Sequence, residues 1–250
     1  MVATFLAVET LWRRELIRFW RQKSRVLGVV ASPLIFWAVI GFGIGADGPR
    51  FFFPGTVVLT VMFSAIFSTI SIIEDRREGF LLSMLVSPAS RTSLVLGKIM
   101  GSATLAWIQG IVILAFTPLA GIRLTLDQLA LAVGVVFLVS FTLAALGFLI
   151  AWKFDSTQGY HAVMNLVLLP MWLLSGAVFS IAGASAWMRG IMLVNPLTYS
   201  TAMLRNLLAP GRMDGSPNLA TSFAVTAAFG VVLLAASAAL ANRKTSSSSA

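Results

Sequence analysis

The sequence contains no cysteine, a single histidine, and few charges: only 11% of its 250 residues are ionisable Asp, Glu, Lys or Arg. Without cysteine the chain can form neither disulfides nor zinc–thiolate sites, and thiol catalysis is excluded. One histidine, His161, makes neither a metal site nor a catalytic triad, so no metal site is expected and His161 is interpreted as a residue of the membrane interface. Because 58% of the residues are hydrophobic, the chain has too few polar side chains to cover a soluble domain of this length.

All 18 basic and all 9 acidic residues lie outside six long apolar segments. Each segment reaches the roughly 20 residues that a helix needs to cross the hydrocarbon core. The segments are Val26–Ala46, Phe51–Ile73, Ile99–Leu119, Leu129–Trp152, Ala162–Ile181 and Leu219–Ala241. Because helices satisfy their own backbone polar groups in lipid, the sequence predicts an all-α membrane protein with six transmembrane helices.

The positions of lysine and arginine predict the orientation of this bundle. With a cytoplasmic N-terminus, 13 basic residues lie in inside segments and five in outside segments. Such a bias is typical of loops that stay in the cytoplasm, so we expect both termini inside and a multi-pass protein of the cell inner membrane. The net charge of +9 is therefore interpreted as a topology signal, and no nucleic acid partner is expected. The first span is too long for the apolar part of a signal peptide and is expected to be retained.

A single membrane domain is predicted over residues 1–250, with an interfacial helix over 1–25, the bundle over 26–241 and a cytoplasmic tail over 242–250. On a helical wheel the N-terminal segment places its tryptophans on one face and most of its arginines on the other. The residues concerned are Trp12 and Trp20, and Arg14, Arg18 and Arg21. Such a helix lies in the membrane interface, with its arginines towards water and anionic lipid, so membrane lipid is an expected partner. The alternative is an ordinary basic flank of the first span.

The loop between the second and third spans has the most distinctive pattern. It begins with the charged residues Glu74, Asp75, Arg76, Arg77 and Glu78, followed by Gly79. The apolar run Phe80–Val86, which includes Leu85, follows, and Pro88 should end any helix there. A simple connector would be shorter and more polar. The pattern therefore predicts a short amphipathic helix, charged at its start, whose apolar side chains are free to dock.

Polar residues inside the spans are few. Gln109 in the third span and Asn165 in the fifth are the bulkiest, and such groups either bond between helices or line a path, with helix contact favoured. Pro170 is expected to kink the fifth span. The absence of carboxylates within the spans argues against an ion-coupled carrier.

The segment 182–218 between the fifth and sixth spans is long for an outside loop. Neither of its halves can cross a membrane alone, and two short re-entrant helices dipping back from the outer face fit its length. These helices are either a lid over an exit or an amphipathic pair lying on the surface.

Two motifs resemble those of ABC-2 type transporter permeases. The first is the charged stretch ending at Gly79, followed by Leu85-Val-Ser-Pro88, Arg91 and Gly97-Lys98. The second is Leu174-Ser-Gly-Ala-Val-Phe179, followed by Asn195-Pro-Leu-Thr-Tyr199 and Arg205. The sequence departs from the family at Phe80-Leu-Leu82, where Thr-Leu-Glu is usual, and at Phe179-Ser180, where Phe-Pro is usual. With the six spans and the N-terminal helix, the resemblance covers essentially the whole chain.

The resemblance implies a transport subunit without enzymatic activity of its own. Two permease subunits, identical or different, would form a channel and bind two copies of a separate ABC ATPase. It implies a coupling helix over Glu74–Pro88, a connecting helix over Phe5–Arg25, and an exit lid that carries Asn195, Pro196, Tyr199 and Arg205. The lid is favoured over the surface pair on this ground.

ATP and magnesium would then bind to the partner ATPase, and no cofactor is expected on this chain. Gly97-Lys98 superficially resembles a phosphate-binding loop, but Thr92 replaces its first glycine and Ile99 its Ser or Thr. The expected cargo is amphiphilic: a drug-like compound, a lipid or a lipid-linked glycan moved outward. The competing class is an ATP-independent membrane protein, such as a secondary carrier or an assembly factor.

Overall fold

A computed structural model describes residues 2–21, 23–86, 90–209 and 215–242, in which the regular structure is helical. The α-helices are α1 (Val2–Arg21), α2 (Lys23–Gly43), α3 (Gly48–Arg77), α4 (Phe80–Val86), α5 (Arg91–Leu114), α6 (Leu126–Ala151), α7 (Thr157–Val163), α8 (Leu169–Trp172), α9 (Ala186–Val194), α10 (Pro196–Leu208) and α11 (Leu219–Asn242). A 3₁₀ turn covers Thr117–Ala120, and π-helical turns cover Met164–Leu168 and Leu173–Ala177.

Within the described residues, five helical segments are long and apolar enough to cross a membrane: α3, α5, α6, the composite helix Thr157–Ala177, and α11. They overlap the second to sixth predicted spans, so the prediction of an all-α multi-pass membrane protein is confirmed. The first predicted span falls on α2, whose shorter apolar part is Gly28–Gly43. A sixth crossing by α2 stays a prediction.

Helix α3 lies at the centre of the bundle and packs against α2, α5 and α6. Glycines permit these close contacts, because a side chain at Gly110 of α5 would lie 2.5 Å from Val136 of α6 and 2.9 Å from Val61 of α3. Likewise, a Cβ atom at Gly147 of α6 would lie 2.8 Å from Thr69 Oγ1 of α3. Small residues let helix backbones approach in lipid, where no hydrophobic effect drives association.

The fifth span is irregular, as its proline predicts. Pro170 cannot donate a backbone hydrogen bond, and π-helical turns lie on both sides of the short helix α8 that contains it. The second of these turns includes Gly176, whose φ of +79° is a left-handed conformation that suits glycine. Trp172 anchors this part of the span to α3, because its Nε1 donates to the Gly55 carbonyl at 2.8 Å.

Tyr160 anchors the other end of the fifth span. Its side chain is completely buried, and its hydroxyl lies 2.6 Å from Thr69 Oγ1 on α3. Replacing Tyr160 with phenylalanine is expected to lower the free energy of unfolding by about 1 kcal/mol, because the cavity shape is kept and the buried hydroxyl, which also donates to the Ile66 or Gly147 carbonyl at 3.3 and 3.4 Å, is lost. Thermal unfolding in detergent measures this change. Tyr199→Phe is the control, since that hydroxyl bonds the Leu193 carbonyl at a more exposed position; equal losses from both variants would contradict the assignment.

Two short helices precede the last span, as predicted for the segment 182–218. Helix α10 is mostly buried and packs against α11 and α6, whereas α9 exposes Trp187, Ile191 and Val194. Helix α10 is therefore not a surface helix, which excludes it from the alternative of an amphipathic pair lying on the surface. Re-entry of these helices from the outer face stays a prediction.

Candidate functional site

Ionisable side chains meet where α1 crosses the end of α3 and the beginning of α5. Asp75 of α3 is completely buried at the centre. Arg14 donates to both of its carboxylate oxygens, at 2.9 and 2.8 Å, and Arg18 donates to Oδ1 at 3.0 Å. Lys98 Nζ of α5 donates to Asp75 from the other side and also to Glu15 Oε1 at 2.5 Å. One carboxylate thus joins three helices.

Glu74 completes this group, because Arg18 Nη2 donates to its Oε2 at 2.7 Å. We call the six residues the ion cluster: Arg14, Glu15, Arg18, Glu74, Asp75 and Lys98. They carry three positive and three negative charges, so each buried charge has an opposite partner, which burial requires. Hydrogen bonding to Asp75 raises the pKa of Arg14 above its ordinary value, so this guanidinium stays charged.

Two glycines allow α1 to lie directly on α5. A Cβ atom at Gly97 would lie 2.8 Å from Leu11 Cβ, and one at Gly101 would lie 2.7 Å from Glu15 Cβ. Trp12 Nε1 adds a hydrogen bond of 3.0 Å to Thr104 Oγ1. The four-residue spacing of the glycines puts both on the same face of α5, which makes that face a shallow groove for α1.

The structure corrects the predicted orientation of α1. Arg14 and Arg18 were expected to face water and lipid headgroups, but they point to acids at the end of α3. Trp12 contacts α5 rather than the headgroup region. Trp20 is 58% exposed and Arg21 is also exposed, and their placement in the membrane interface stays a prediction. A helical wheel separates polar from apolar faces, and it cannot tell water from buried carboxylates.

The charged stretch after the second span is also placed differently from its prediction. It does not begin the short helix; Glu74 to Arg77 form the last turn of α3, and Glu78 and Gly79 follow the helix, with φ +75° at Gly79. Arg76 donates to Asp155 Oδ1 at 2.6 Å and to the Trp152 carbonyl at 2.6 Å. Arg77 donates to the Asp155 carbonyl at 3.0 Å. These two arginines therefore hold the connection between α6 and α7.

Helix α4 is the short helix that the apolar run predicts. Leu82 and Val86 are 66% and 84% exposed, and Phe80 lies under Arg14, whose guanidinium carbon is 3.8 Å from the ring centroid. Leu85 lies within α4, whereas Pro88 lies outside the described residues. An exposed apolar surface thus lies next to the ion cluster.

A groove of about 740 Å³ runs along α1 beside this surface. Its charged lining residues are Glu9, Arg13, Arg14, Arg18, Arg21 and Glu78. Two of the four arginines, Arg14 and Arg18, are already paired with acids of the ion cluster, so the groove carries charges of both signs without a net excess. Glu78 is 60% exposed and lies 3.8 Å from Arg18, at the edge of the ion cluster.

A second cavity, of about 620 Å³, lies between α2, α3 and the beginning of the fifth span. Its walls are mainly apolar and include Phe63 and Phe67, whose rings stack with centroids 5.3 Å apart. Its polar residues include Glu74 and His161, and the imidazole lies 5.2 Å from the Phe67 ring. The cavity therefore combines an aromatic wall with a polar edge.

The two polar residues predicted inside the spans lie in different surroundings. Gln109 is 3% exposed within the bundle, as expected of a residue between helices. Asn165 is exposed on the surface of this chain, so the expectation that it faces the bundle interior is corrected. Sequence position within a span gives depth, and it does not give the direction of the side chain.

Among the residues predicted for an exit lid, Asn195 links α10 to the fifth span, Tyr199 links it to α9, and Arg205 packs against α3. Asn195 caps α10 through the Leu197 amide at 3.0 Å and donates to the Met171 carbonyl at 2.5 Å. Pro196 begins α10, and Tyr199 donates to the Leu193 carbonyl at 2.8 Å. Arg205 is buried with its guanidinium 4.4 Å from the Phe51 ring centroid. Their role in an exit stays a prediction.

Glu15 and Lys98 were not among the site residues predicted from the sequence, although Lys98 belongs to the first motif. Glu15 is an acid in a strongly basic segment, and Lys98 begins the third span with a charge that lipid would not tolerate unpaired. Both signals were available, but only three-dimensional packing shows that the two residues meet.

Comparison with known proteins agrees with this arrangement. A family model of the ABC-2 type transporter matches residues 7–209. The chain is similar to a putative transport permease ycf38 of Cyanophora paradoxa, at 26% identity over 82% of this chain and 76% of the relative. It is similar to nodulation protein J of Rhizobium leguminosarum bv. viciae, at 27% identity over 78% of this chain and 79% of the relative. It also resembles the probable multidrug ABC transporter permease YbhR of Escherichia coli K12, at 24% identity over 60% of this chain and 41% of the relative.

The family match spans every element of the site described above, from the groove along α1 through the ion cluster to the capped start of α10. The motifs of the loop after α3 and of the segment before α11 both lie within it. The chain therefore belongs to the ABC-2 type transporter family of membrane transport permeases.

Proposed function

We propose that this chain is the transmembrane subunit of an ATP-binding cassette exporter, driven by a separate ATPase that docks beside the ion cluster. The observation that carries this proposal is the junction of α1, α3 and α5 at Asp75, next to the exposed apolar surface of α4. A partner that moves α1 or α4 also moves α3 and α5, because buried charges cannot separate cheaply.

The chemistry of this surface indicates the kind of ATPase surface that fits it. The groove along α1 carries charges of both signs, and Leu82 and Val86 beside it are apolar. A partner with charged side chains of both signs around an apolar pocket would complement this surface, since opposite charge guides binding and apolar contact stabilises it. ATP and magnesium would bind to that partner.

The assembly we propose has two ATPase copies and two permeases, identical or different. The fifth span supports a partner permease, because Leu166 and Val167 are 77% and 45% exposed beside the exposed polar group of Asn165. A polar side chain in lipid is costly, and a second permease could cover it or share a path with it.

The cargo we propose is amphiphilic. The cavity between α2, α3 and the fifth span offers stacked phenylalanines for an apolar body and Glu74 and His161 for a polar group. One relative is named a probable multidrug permease, which fits a drug-like amphiphile. The basic residues that flank the spans at the α4 end support cytoplasmic termini. Outward movement across the inner membrane completes the proposal.

Replacing Leu82 and Val86 together with serine tests the docking. These side chains are exposed, so the fold should be unchanged, while ATP-dependent transport of a fluorescent amphiphile into proteoliposomes should fall by more than about tenfold if apolar docking worth at least about 1.4 kcal/mol is lost. The measurement uses the permease purified in complex with an ABC ATPase.

Leu126→Ser is the matched control, because Leu126 is 85% exposed at the opposite end of the bundle and should leave transport unchanged. Transport by the unaltered chain that needs neither ATPase nor ATP would favour a secondary carrier. Unchanged ATP-dependent transport by the double variant would instead reject α4 as the docking surface.

A further inference from the structure

A stripe of mainly polar residues runs along one face of α3, and a similar stripe runs along one face of α5. In both stripes successive residues are four, three and four positions apart, a spacing that keeps them on the same face of a helix. On α3 the stripe consists of Ser64, Ser68, Ser71 and Asp75. On α5 it consists of Lys98, Ser102, Leu105 and Gln109. All eight side chains are buried or nearly so.

The two stripes face each other along consecutive antiparallel helices. Near one end, Lys98 Nζ donates to Ser71 Oγ at 3.3 Å. Near the other, a Cβ atom at Gly110 would lie 2.9 Å from Val61. Between these contacts the register places Gln109 within about 3 Å of the level of Ser64 along the helix axis, and roughly 16 Å from Lys98.

At this level the polar atoms lack partners. Ser64 Oγ and both Nε2 and Oε1 of Gln109 are buried with no hydrogen-bond partner in the part of the chain that the structure describes. Ser64 is 1% exposed and Gln109 is 3% exposed. Nearer the ion cluster the stripe is satisfied, because Ser68 donates to the Ser64 carbonyl at 2.7 Å and Ser71 accepts from Lys98. Polar groups buried without a partner are energetically unfavourable, so each of these atoms calls for one.

We propose that ordered water occupies a site between α3 and α5, bound by Gln109 and Ser64. The amide of Gln109 presents an unpaired donor and an unpaired acceptor together. Water can accept from Nε2 and donate to Oε1, whereas a cation could pair only with the oxygen and an anion only with the nitrogen. Buried waters in proteins occupy such positions, with about three hydrogen bonds each. The water continues the polar stripe from the ion cluster into the middle of the helix pair.

The absence of cysteine from this chain makes a direct test possible. In Ser64→Cys the single thiol has an S–H stretching band free of other thiols, and the thiol is a weak donor whose band shifts down when it binds water. We expect this band to lie lower than in the control Ala65→Cys, whose side chain is completely buried one position along α3. We also expect rapid conversion to S–D in D₂O for Ser64→Cys alone.

A thiol at position 64 could instead bond the Thr60 carbonyl one turn back, so Gln109→Leu is added to the Ser64→Cys chain. If water is bound, Gln109→Leu should shift the S–H band back towards its position in Ala65→Cys and slow the conversion of S–H to S–D. A band that is unshifted, or one whose shift and exchange survive Gln109→Leu, overturns the proposal. If either cysteine variant does not fold, a high-resolution cryo-EM map of the unaltered chain decides, by density for water within hydrogen-bond distance of the Gln109 amide or by its absence.

Discussion

Replacing Asp75 with alanine is expected to lower the free energy of unfolding by about 3–5 kcal/mol and to abolish ATP-dependent transport. Asp75 is completely buried and accepts hydrogen bonds from Arg14, Arg18 and Lys98. Removing the carboxylate leaves Lys98 with Glu15 alone and leaves excess positive charge inside the bundle. Chemical unfolding in detergent micelles measures the first effect, and transport in proteoliposomes measures the second.

Asp155→Ala is the matched control for this prediction. Asp155 also accepts from an arginine at 2.6 Å, but it is 85% exposed, and exposed ion pairs contribute at most about 1 kcal/mol. The double variant Asp75→Leu with Lys98→Met should recover part of the lost stability, because an apolar pair needs no charge compensation. Transport should stay lost, since the link between α1 and the spans is gone. Equal stability losses for Asp75→Ala and Asp155→Ala would show that the ion cluster does not stabilise the bundle.

The fold was largely predictable because apolar length and missing charge are local properties. A stretch such as Leu129–Trp152 can satisfy its backbone in lipid only as a helix, wherever its neighbours lie. The end of α3 was misplaced for a related reason. Charged residues after a span suggest a loop, yet Asp75 continues the helix because arginines of α1 and Lys98 neutralise it. The helix stops where Gly79 permits a left-handed turn.

The site was predictable only in part, because its geometry depends on contacts between residues far apart in sequence. Lys98 meets Glu15 across 83 positions, and no periodicity within either segment reports that contact. Gln109 and Asn165 look alike in sequence, yet one is buried and the other is exposed. The arginines of α1 were assigned to water because the helical wheel contains no information about α3.

Replacing Gly97 and Gly101 together with alanine is expected to detach α1 from α5 and to abolish ATP-dependent transport while the bundle stays folded. The added Cβ atoms would lie 2.8 Å from Leu11 Cβ and 2.7 Å from Glu15 Cβ, so α1 must move outward. Such overpacking costs about 1–3 kcal/mol per site, more than the roughly 1 kcal/mol that alanine gains over glycine in a helix. Hydrogen exchange of the α1 amides measures the detachment, and it should accelerate while exchange in α3 is unchanged.

Gly134→Ala is the control for this last prediction, because Gly134 is an exposed helical residue of α6 with no atom within 4 Å of the added Cβ. It should raise stability by up to about 1 kcal/mol and leave transport intact. The ion cluster and the two glycines of α5 both stabilise the contact between α1 and α5. The ion cluster does so through charge, and Gly97 and Gly101 do so through close packing. If Asp75→Ala and the double glycine variant both abolish transport, movement is transmitted from the ATPase to the spans through the contact between α1 and α5. Normal transport with α1 detached would reject that route, whatever the stability of the cluster.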